Sequence, residues 1–390
     1  MRYFGTVARG VRMPIIRQGD DLATIVAETI FQAFKYEKIE VKDKDIIALT
    51  ESIVARAEGN YASSKAIIKD VQAKVGKGPV GFVFPILSRN RMYGIVKAVA
   101  SAVDELIIQL SYPSDEVGNA LISEELLFDY EINPNTQTFE EAEFRNLFGE
   151  ELLHPITKQD YPSLYKSCGD NVKIIFSNDP QAILKYTNKV IAADVHSRHI
   201  TKARLKQGGA ELVLGLDDIL TKSIGGSGYH PEYGLLGSNY ASEDVLKLFP
   251  RSSKQVAEKI QALFKKKTNR QVEVLVFGDG AFKDPVAKIW ELADPVVAAA
   301  YTSGLGGTPH ENKLKLLADD DFKHLDGEEL EEKLKEHIKS SSKSAPNALG
   351  TTPRQISDLL GSLSDLMAGS GDKGTPVIYI QGYFDNYADE

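Results

Sequence analysis

The feature that most constrains the fold is a short apolar run at 46–49, I-I-A-L, with polar and charged residues directly after it. An apolar run of this length is typical of a buried strand. Thr50, Glu51 and Ser52 come next, and Arg56 follows shortly after them. In open α/β sheets, ligands usually bind beyond the carboxyl ends of the strands. The run therefore predicts an α/β chain with a ligand site after this strand.

Composition limits the class of protein. A chain of 390 residues exceeds what one hydrophobic core normally serves, so we expect two domains, or one domain with a large insertion. The net charge of −9 argues against non-specific binding of nucleic acid, which needs a basic surface. Cys168 is the single cysteine, which excludes a disulfide framework and a thiolate metal cluster. Because we find no signal peptide and no run of transmembrane length, we expect a cytoplasmic location without a membrane partner.

Strand and helix patterns alternate between residues 172 and 214. Strands are predicted at 172–176, 189–193 and 210–214, and helices at 180–186 and 197–206. This alternation predicts a layered unit with a parallel sheet. The pattern G-x-x-x-x-G-K-[ST] does not occur in the chain. The pattern G-x-G-x-x-G occurs at 76–81 and at 369–374, but neither match lies between a predicted strand and a following helix, which is the context in which this pattern binds a dinucleotide.

Several other segments give local predictions. A helix is predicted over 92–110, and a helix of small residues over 296–301. Asn60 is predicted to cap a helix that runs to about residue 74. Residues 82–87 could form a strand, which Pro85 would confine to a sheet edge because proline has no amide donor.

Two acidic residues and two basic residues each leave two interpretations open. Asp20 and Asp21 precede a helical pattern, where they could cap the helix or contact a ligand. Arg89 and Arg91 precede another helical pattern, where they could hold an anion or remain solvated.

Asp279 is the strongest single candidate for chemistry. It lies between two glycines directly after the predicted strand 271–277, so a phosphate could approach without obstruction by side chains. The alternative is an ordinary Asp-Gly turn. The loop 369–374 has three glycines whose backbone N–H groups could surround a phosphate, or it could be only a connection.

Asp194, His196 and His199 form a local cluster of metal-like residues. The H-x-x-H spacing places two imidazoles less well on one helix face than an i,i+4 spacing does. Capping and surface roles are the alternative, and a hydrolase that uses these three residues is a third, lower-ranked functional hypothesis. Cys168 has no neighbouring acid–base set, so a nucleophilic thiol is not expected.

Three sequence blocks carry a resemblance. The first is M-P-I-I-R-Q-G-D-D-L (13–22) with D-I-I-A-L-T-E-S-I-V-A-R-A-E-G (45–59). The second is G-L-L-G-S-N (234–239) with V-L-V-F-G-D-G (274–280), and the third is G-S-G-D-K-G-T-P-V-I-Y-I-Q-G (369–382). Together these blocks resemble the gamma-glutamyl ligase family of the deazaflavin coenzyme F-420.

The resemblance implies an activity and an architecture. Enzymes of this family attach glutamate to the coenzyme precursor with GTP and a divalent metal, Mg²⁺ or Mn²⁺, and are typically homodimers. The substrates would thus be a small-molecule acid and an amino acid. The implied fold is a two-lobed α/β fold of mixed sheets. Residues 1–90 and 225–390 would form the ligase-like nucleotide-binding region, and residues 91–224 an inserted α/β region.

Roles are carried over only onto matching positions. Asp279 and Arg56 would be catalytic, with Asp279 and Asp372 as metal ligands. The implied nucleotide contacts are Arg12, Met13, Pro14, Ile15, Glu51, Ser52, Arg56, Asn239, Gly369, Ser370, Gly371, Asp372 and Gly374.

The chain also departs from the family pattern. Leu236 stands where the family has an aspartate in G-I-D-A-S-N, Gly280 replaces a hydroxyl residue, and Ser370 replaces an acidic or amide ligand. The leading hypothesis is a GTP- and metal-dependent ligase that joins an amino acid such as L-glutamate to a small acid. The alternative is a catalytically inert homologue that binds a nucleotide or another small ligand.

Overall fold

The computed structural model describes residues 4–278, 294–309, 312–340, 354–368 and 371–389. Its strands are β1 (Val7–Val11), β2 (Ile46–Thr50), β3 (Tyr61–Ser63), β4 (Pro79–Val83), β5 (Glu105–Leu110), β6 (Phe139–Glu140), β7 (Val172–Phe176), β8 (Lys189–Ala192), β9 (Leu212–Gly215), β10 (Asn239–Ser242), β11 (Val245–Lys247), β12 (Glu273–Phe277), β13 (Ala298–Tyr301) and β14 (Val377–Gln381). The predicted α/β class is confirmed.

Helices separate most of these strands. The α-helices are α1 (Leu22–Glu37), α2 (Glu51–Glu58), α3 (Ser64–Val75), α4 (Tyr93–Ala102), α5 (Glu124–Asp129), α6 (Glu141–Phe148), α7 (Tyr161–Lys166), α8 (Arg198–Gln207), α9 (Ser253–Thr268), α10 (Leu314–Asp319), α11 (Gly327–Ser340) and α12 (Ile356–Ala368). Short 3-10 helices occupy Pro180–Lys185, Leu216–Asp218, Ser303–Leu305 and Gly371–Lys373. No helix in the described ranges is long and apolar enough to cross a bilayer.

The chain divides into two compact units. Unit 1 takes the described residues within Met1–Ala57, Ser252–Gly280 and Val297–Glu390, and unit 2 takes those within Glu58–Arg251 and Ala281–Val296. The predicted inserted region, 91–224, lies inside unit 2, which begins earlier and ends later. That this region is an insertion relative to shorter family members stays a prediction.

Unit 1 is built on a five-stranded sheet in the order β1-β14-β2-β12-β13. The central strand β2 runs parallel to β12 and antiparallel to β14. Ile46, Ile47, Ala48 and Leu49 have no exposed surface, because apolar clusters cover both faces of the sheet. The strand predicted from the apolar run is thus confirmed, and it lies at the centre of the sheet.

The helix predicted over 296–301 is wrong. Ala298–Tyr301 form β13, which pairs antiparallel with β12 and places Leu275 opposite Tyr301. Alanine's preference for helix amounts to less than about 1 kcal/mol per residue, so pairing with a neighbouring strand can override it.

Unit 2 is built on a six-stranded sheet in the order β6-β7-β5-β4-β8-β9. All pairs are parallel except that of β6 with β7. The predicted alternation of strands and helices after residue 172 is confirmed, with a 3-10 helix in place of the helix at 180–186. A separate three-stranded sheet joins β10, β11 and β3.

Two predictions near the start of this sheet are wrong. The helix predicted over 92–110 ends at Ala102, and Glu105–Leu110 form the buried strand β5. A turn intervenes, where the Asp104 carboxylate accepts a hydrogen bond from the Gly78 amide at 2.7 Å. β4 is an interior strand rather than an edge, because it ends at Val83 and Pro85 lies outside the ladder.

Asn60 does not cap a helix. Its side-chain amide donates to the carbonyl of Phe249 at 2.8 Å and to that of Tyr229 at 3.1 Å. Ser63 caps α3 instead, since its hydroxyl accepts from the Ala66 amide at 3.3 Å. Asn60 has no exposed surface, and its two hydrogen bonds join segments of unit 2 that lie far apart in the sequence.

Candidate functional site

The candidate site in unit 1 starts where β2 passes directly into α2. Thr50 ends the strand and Glu51 begins the helix, so no loop separates them. The amino end of a helix carries partial positive charge, which favours anions. The Thr50 amide donates to the carbonyl of Pro376 at 3.0 Å, which ties this junction to the segment before β14.

The segment after β1 forms a second wall. The Met13 amide donates to the carbonyl of Gly374 at 3.0 Å, so the two segments lie side by side. The Thr375 hydroxyl donates to the carbonyl of Ala368 at 3.2 Å, which fixes the end of α12 beside them. A Cβ added at Gly10 would lie 3.1 Å from Thr375, so a larger residue at position 10 would press on this wall.

These walls enclose a cleft of about 340 Å³. It is lined by Met13, Pro14, Ile15, Ile16, Thr50, Ser52, Ile53, Arg56, Ala368, Gly374, Thr375 and Pro376. Six of these residues were predicted nucleotide contacts, namely Met13, Pro14, Ile15, Ser52, Arg56 and Gly374. The structure therefore brings together three segments that lie far apart in sequence. Their role in nucleotide binding stays a prediction.

The chemistry of the lining suits a partly apolar ligand with an anionic group. Arg56 is the one charged residue among the described residues that line the cleft, and it is exposed. Ile15 is 76% exposed, which is unusual for a large apolar side chain. Ligand sites commonly combine apolar walls with a few placed polar groups, and this cleft has that composition.

The other predicted site residues lie elsewhere or are not described. Arg12 is exposed but is not part of the lining, and Glu51 is buried, with 6% of its surface exposed. Asp372 is exposed in the 3-10 turn Gly371–Lys373, just before Gly374. Asn239 belongs to unit 2, at the start of β10. Asp279, Gly280, Gly369 and Ser370 lie outside the described residues.

The sequence missed part of the lining. The missed residues are Ile16, Thr50, Ile53 and Pro376. Ala368 and Thr375 are the two ends of the 368–375 loop, which the resemblance also implied as a nucleotide contact. A signal was present for Thr50, which follows the apolar run, and for Pro376, which lies within the third resemblance block.

Asp21 caps the helix, as the capping interpretation predicted, whereas the Asp20 carboxylate closes the turn that precedes the helix. The Asp21 carboxylate accepts from the Thr24 amide at 3.3 Å and caps α1. It also pairs with Lys259 at 2.7 Å, and this hydrogen bond holds the pKa of Asp21 below its usual value. Asp20 accepts from the Arg17 amide at 2.7 Å within a turn.

The metal interpretation of Asp194, His196 and His199, which ranked below capping and surface roles, is wrong, and the hydrolase hypothesis loses its metal basis with it. Within the described ranges, no group of three His, Cys, Asp or Glu side chains is placed to hold a metal ion. His196 and His199 are exposed, whereas Asp194 is buried and accepts a hydrogen bond from the Thr201 hydroxyl at 3.0 Å.

Arg91 and Cys168 complete the set of candidates. Arg91 was expected either to bind an anionic ligand or to remain solvated. Instead, its guanidinium forms an ion pair with the buried carboxylate of Asp294 at 2.7 Å. Burial raises the pKa of the Cys168 thiol to about 12, so the thiolate nucleophile is scarce at neutral pH.

Comparison with known proteins identifies the family of the chain. A family model described as F420-0:Gamma-glutamyl ligase matches residues 10–382. The coenzyme F420:L-glutamate ligase of Methanosarcina acetivorans is 34% identical over 84 residues, which are 20% of this chain and 30% of the relative. The enzyme of the same name from Methanosarcina mazei is 32% identical over 85 residues, again 20% of this chain and 30% of the relative. The matched segment thus spans less than a third of each relative.

Proposed function

Because this chain belongs to the F420-0:gamma-glutamyl ligase family, we propose that it is a ligase that joins an amino acid, such as L-glutamate, to a small acid. The proposed reaction uses GTP and a divalent metal, Mg²⁺ or Mn²⁺, and forms an amide bond. The proposed active form is a homodimer.

The observation that carries this proposal is the cleft of unit 1, where six predicted nucleotide contacts converge. A carboxylate does not form an amide at neutral pH without activation, and phosphoryl transfer from a nucleoside triphosphate provides it. Phosphoryl transfer needs cationic groups that neutralise developing charge. Arg56 and the amino end of α2 supply positive charge to the cleft, while Met13, Pro14 and Ile15 supply apolar surface.

Arg56 has a defined role in this proposal. It contacts the phosphates of the nucleotide from the last turn of α2. The family usually has a lysine at this position, and arginine keeps the charge but presents a planar set of donors that can bind two phosphate oxygens at once.

The metal has weaker support. Asp279 and Asp372 are its proposed ligands, but Asp279 lies outside the described residues and Asp372 is exposed. No set of three ligands exists in the part of the chain that the structure describes. We therefore assign no reaction step to the metal.

One observation favours the second candidate, an inert homologue that binds a nucleotide or a similar small ligand. Leu236 occupies the position of a family aspartate, and it has no exposed surface because it packs in the apolar core of unit 2. A buried leucine cannot coordinate a cation or polarise a phosphate.

The test is a thermal-shift titration with GTP, ATP and GDP, each with and without Mg²⁺ or Mn²⁺. The protein variants are wild type, Arg56→Gln, Asp279→Ala and, as a matched control, Arg17→Gln. Arg17 is exposed in the same segment as the cleft wall but does not line the cleft. A ligand at a hundredfold excess over its Kd stabilises a protein by about 2.7 kcal/mol, which is easily measured.

The outcomes separate the candidates. Metal-dependent stabilisation by GTP that is lost in Asp279→Ala and weakened in Arg56→Gln, together with GDP release when glutamate and an acid are added, supports the ligase. Stabilisation without any release of GDP supports the inert homologue. If no nucleotide changes the melting temperature, or if Arg17→Gln has the same effect as Arg56→Gln, both proposals fail.

A further inference from the structure

The sheet of unit 2 has the strand order of a doubly wound fold. Numbered along the chain, its parallel strands β4, β5, β7, β8 and β9 are strands one to five, and their spatial order is 3-2-1-4-5. In such a sheet the chain leaves the first and fourth strands toward opposite faces. The point between those two strands is where ligands bind in open α/β sheets.

The core clusters confirm that the chain diverges at this point. β4 leads to α4, whose Ile95 and Val96 pack in the larger apolar cluster of unit 2. β8 leads to α8, whose Leu205 packs on the opposite face with Val83 and Val190. The carboxyl ends of β4 and β8 therefore border a topological switch point, and it lies wholly inside unit 2.

Asp194 stands at this switch point with one carboxylate oxygen unsatisfied. It follows β8, and its side chain lies on the face covered by α8, because Oδ2 accepts from the Thr201 hydroxyl at 3.0 Å. Oδ1 is buried and makes no hydrogen bond of ordinary geometry with the residues that the structure describes. The Ser197 hydroxyl nevertheless lies close enough to the carboxylate to oppose the rise in the pKa of Asp194 that burial causes. Only 6% of the residue is exposed. A buried carboxylate oxygen without a donor is costly, so its presence calls for an explanation.

A second unsatisfied acceptor lies on the same face. Gln109 is the last residue of β5 that pairs with β4. It lies two residues after Ile107, which packs with Leu205 of α8, so the side chains of Gln109 and Ile107 are on the same face of the sheet. Its Nε2 donates to the carbonyls of Ser177 at 3.1 Å and Asp179 at 2.8 Å, which fixes the orientation of the amide. Its Oε1 is buried and finds no donor within the described ranges.

Phe84 directly follows β4, the strand that lies between β5 and β8. Its φ of 57° is in the left-handed region, where a bulky residue is strained. Its amide donates to the carbonyl of Gln109 at 2.9 Å, which holds the strained conformation in place. Strained backbone of this kind is found most often near ligand sites.

The chemistry of these groups defines the ligand. Two acceptors without donors select a molecule that brings hydroxyl or N–H donors. The connection from β4 to α4, residues 84–92, contains no glycine, so it lacks the close backbone approach that a bound pyrophosphate requires. In the dinucleotide-binding members of this fold, an acidic residue that follows the glycine-rich loop accepts a hydrogen bond from a ribose hydroxyl. Asp194 offers the same kind of acceptor from a different position, after the fourth parallel strand.

We propose that the switch point of unit 2 is a second ligand site, in which Asp194 Oδ1 accepts a hydrogen bond from a vicinal diol. The diol belongs to a nucleoside or to a free sugar, and the site is separate from the cleft of unit 1. Because Oδ1 is shielded from solvent, the residues that precede α8 move aside when the ligand enters.

The test is isothermal titration calorimetry with adenosine, guanosine, 2′-deoxyadenosine and ribose. Wild type is compared with Asp194→Asn, which keeps the shape but replaces an acceptor oxygen with a donor. We expect a ribonucleoside to bind wild type with a millimolar or lower Kd. In Asp194→Asn the Kd should be about tenfold higher or more. Binding of 2′-deoxyadenosine should be weaker by a similar factor. Ribose that binds as well as the nucleosides would identify a free sugar as the source of the diol.

Three controls make the result specific. Thr201→Val removes the donor to Oδ2 but leaves Oδ1, so it should keep binding within about threefold. Asp170→Asn changes an exposed aspartate of the same unit and should have no effect. Arg56→Gln changes the cleft of unit 1 and should also bind the nucleoside normally. Failure of nucleotide binding at Arg56 would therefore not imply failure at Asp194.

Several outcomes would overturn the proposal. It fails if none of the four compounds binds at millimolar concentration, or if Arg56→Gln rather than Asp194→Asn abolishes binding. It also fails if Thr201→Val loses binding as completely as Asp194→Asn does, because Asp194 would then act only through local structure. If Asp194→Asn does not fold, a crystal of wild type soaked in adenosine decides: density for a nucleoside at Oδ1 supports the proposal, and an ordered water alone refutes it.

Discussion

Each unit buries an aspartate next to a strand, and the two aspartates differ in how they are satisfied. Asp45 precedes β2 in unit 1 and is 2% exposed, and Asp194 follows β8 in unit 2 and is 6% exposed. Burial raises the pKa of both carboxyls. Asp45 Oδ2 accepts from the hydroxyl of Tyr379, from the Lys42 amide at 2.6 Å and from the Gln381 side chain at 3.1 Å.

The comparison distinguishes a structural acid from a candidate binding acid. Three donors hold Asp45, two of them on β14 and one on the segment that precedes β2, so its carboxylate links these two segments. Asp194 has a donor on one oxygen and none among the described residues on the other. Asp45 lies at the amino end of its strand, whereas Asp194 lies at the carboxyl end, where ligands of parallel sheets bind. Burial alone would have made the two residues look alike.

Asp45→Ala should have the largest effect on stability. The substitution leaves the buried hydroxyl of Tyr379, the Gln381 amide and the Lys42 amide without their common acceptor. Because the buried Tyr379 hydroxyl loses its acceptor and two further hydrogen bonds are lost with it, we expect a loss of about 3 kcal/mol in the free energy of unfolding. Urea unfolding of unit 1, followed by the fluorescence of a labelled variant or by circular dichroism, measures this loss.

Tyr379→Phe is the matched control for that substitution. It removes one donor, keeps the ring that lies 4.7 Å from Phe34, and leaves the other two hydrogen bonds intact. We expect a loss of about 1 kcal/mol. A larger loss for Tyr379→Phe than for Asp45→Ala would show that the aromatic packing, not the carboxylate, stabilises this region.

The sequence predicted the sheets where a strand is marked by a local apolar run. β2, β7 and β12 were expected at nearly their observed bounds, because a run of mainly apolar residues leaves little choice of element. β5 and β13 were missed, since L-I-I and A-A-A also fit a helix and only pairing with a neighbouring strand decides between the two. The strand order 3-2-1-4-5 depends on long-range pairing that no local pattern contains.

For the candidate sites too, the sequence predicted residues that lie in local motifs but not the long-range contacts that bring them together. The resemblance blocks found Met13, Ser52, Arg56 and Gly374, because each is embedded in a recognisable motif. The convergence of these residues on one cleft comes from the Met13–Gly374 hydrogen bond, which joins opposite ends of the chain. Asp194 was noticed in the sequence for the wrong reason, as a metal ligand, because the unsatisfied state of one oxygen is visible only in three dimensions.

Asp194→Asn should increase the free energy of unfolding, by less than Asp45→Ala decreases it. Replacing a buried charge whose hydrogen bonds only partly compensate its desolvation removes part of that cost, so we expect the variant to gain about 1 kcal/mol at pH 7. The pKa of Asp194 is raised in the folded chain, so the wild type loses stability as the pH rises from the ordinary aspartate pKa of about 4 through the raised value. The amide of the variant does not titrate and has no such loss. The gain should therefore disappear as the pH falls toward about 4.

Urea unfolding of wild type and Asp194→Asn at several pH values measures this difference. Asp170→Asn, at an exposed position, provides the baseline for removal of a negative charge from unit 2. A destabilised Asp194→Asn at neutral pH would make Asp194 a structural acid like Asp45, and the contrast between the two units would be lost.

Arg56→Gln should have the smallest effect on stability and a clear effect on binding. Arg56 is exposed on the last turn of α2, and surface substitutions of this kind usually change the free energy of unfolding by less than about 0.5 kcal/mol. If the cleft binds a nucleotide, loss of a charge-assisted contact should weaken binding by about tenfold, while unfolding in urea stays unchanged. Arg17→Gln should change neither quantity. A large loss of stability in Arg56→Gln would show that the arginine supports the fold of unit 1, and the cleft would then have no side-chain charge reserved for an anionic ligand.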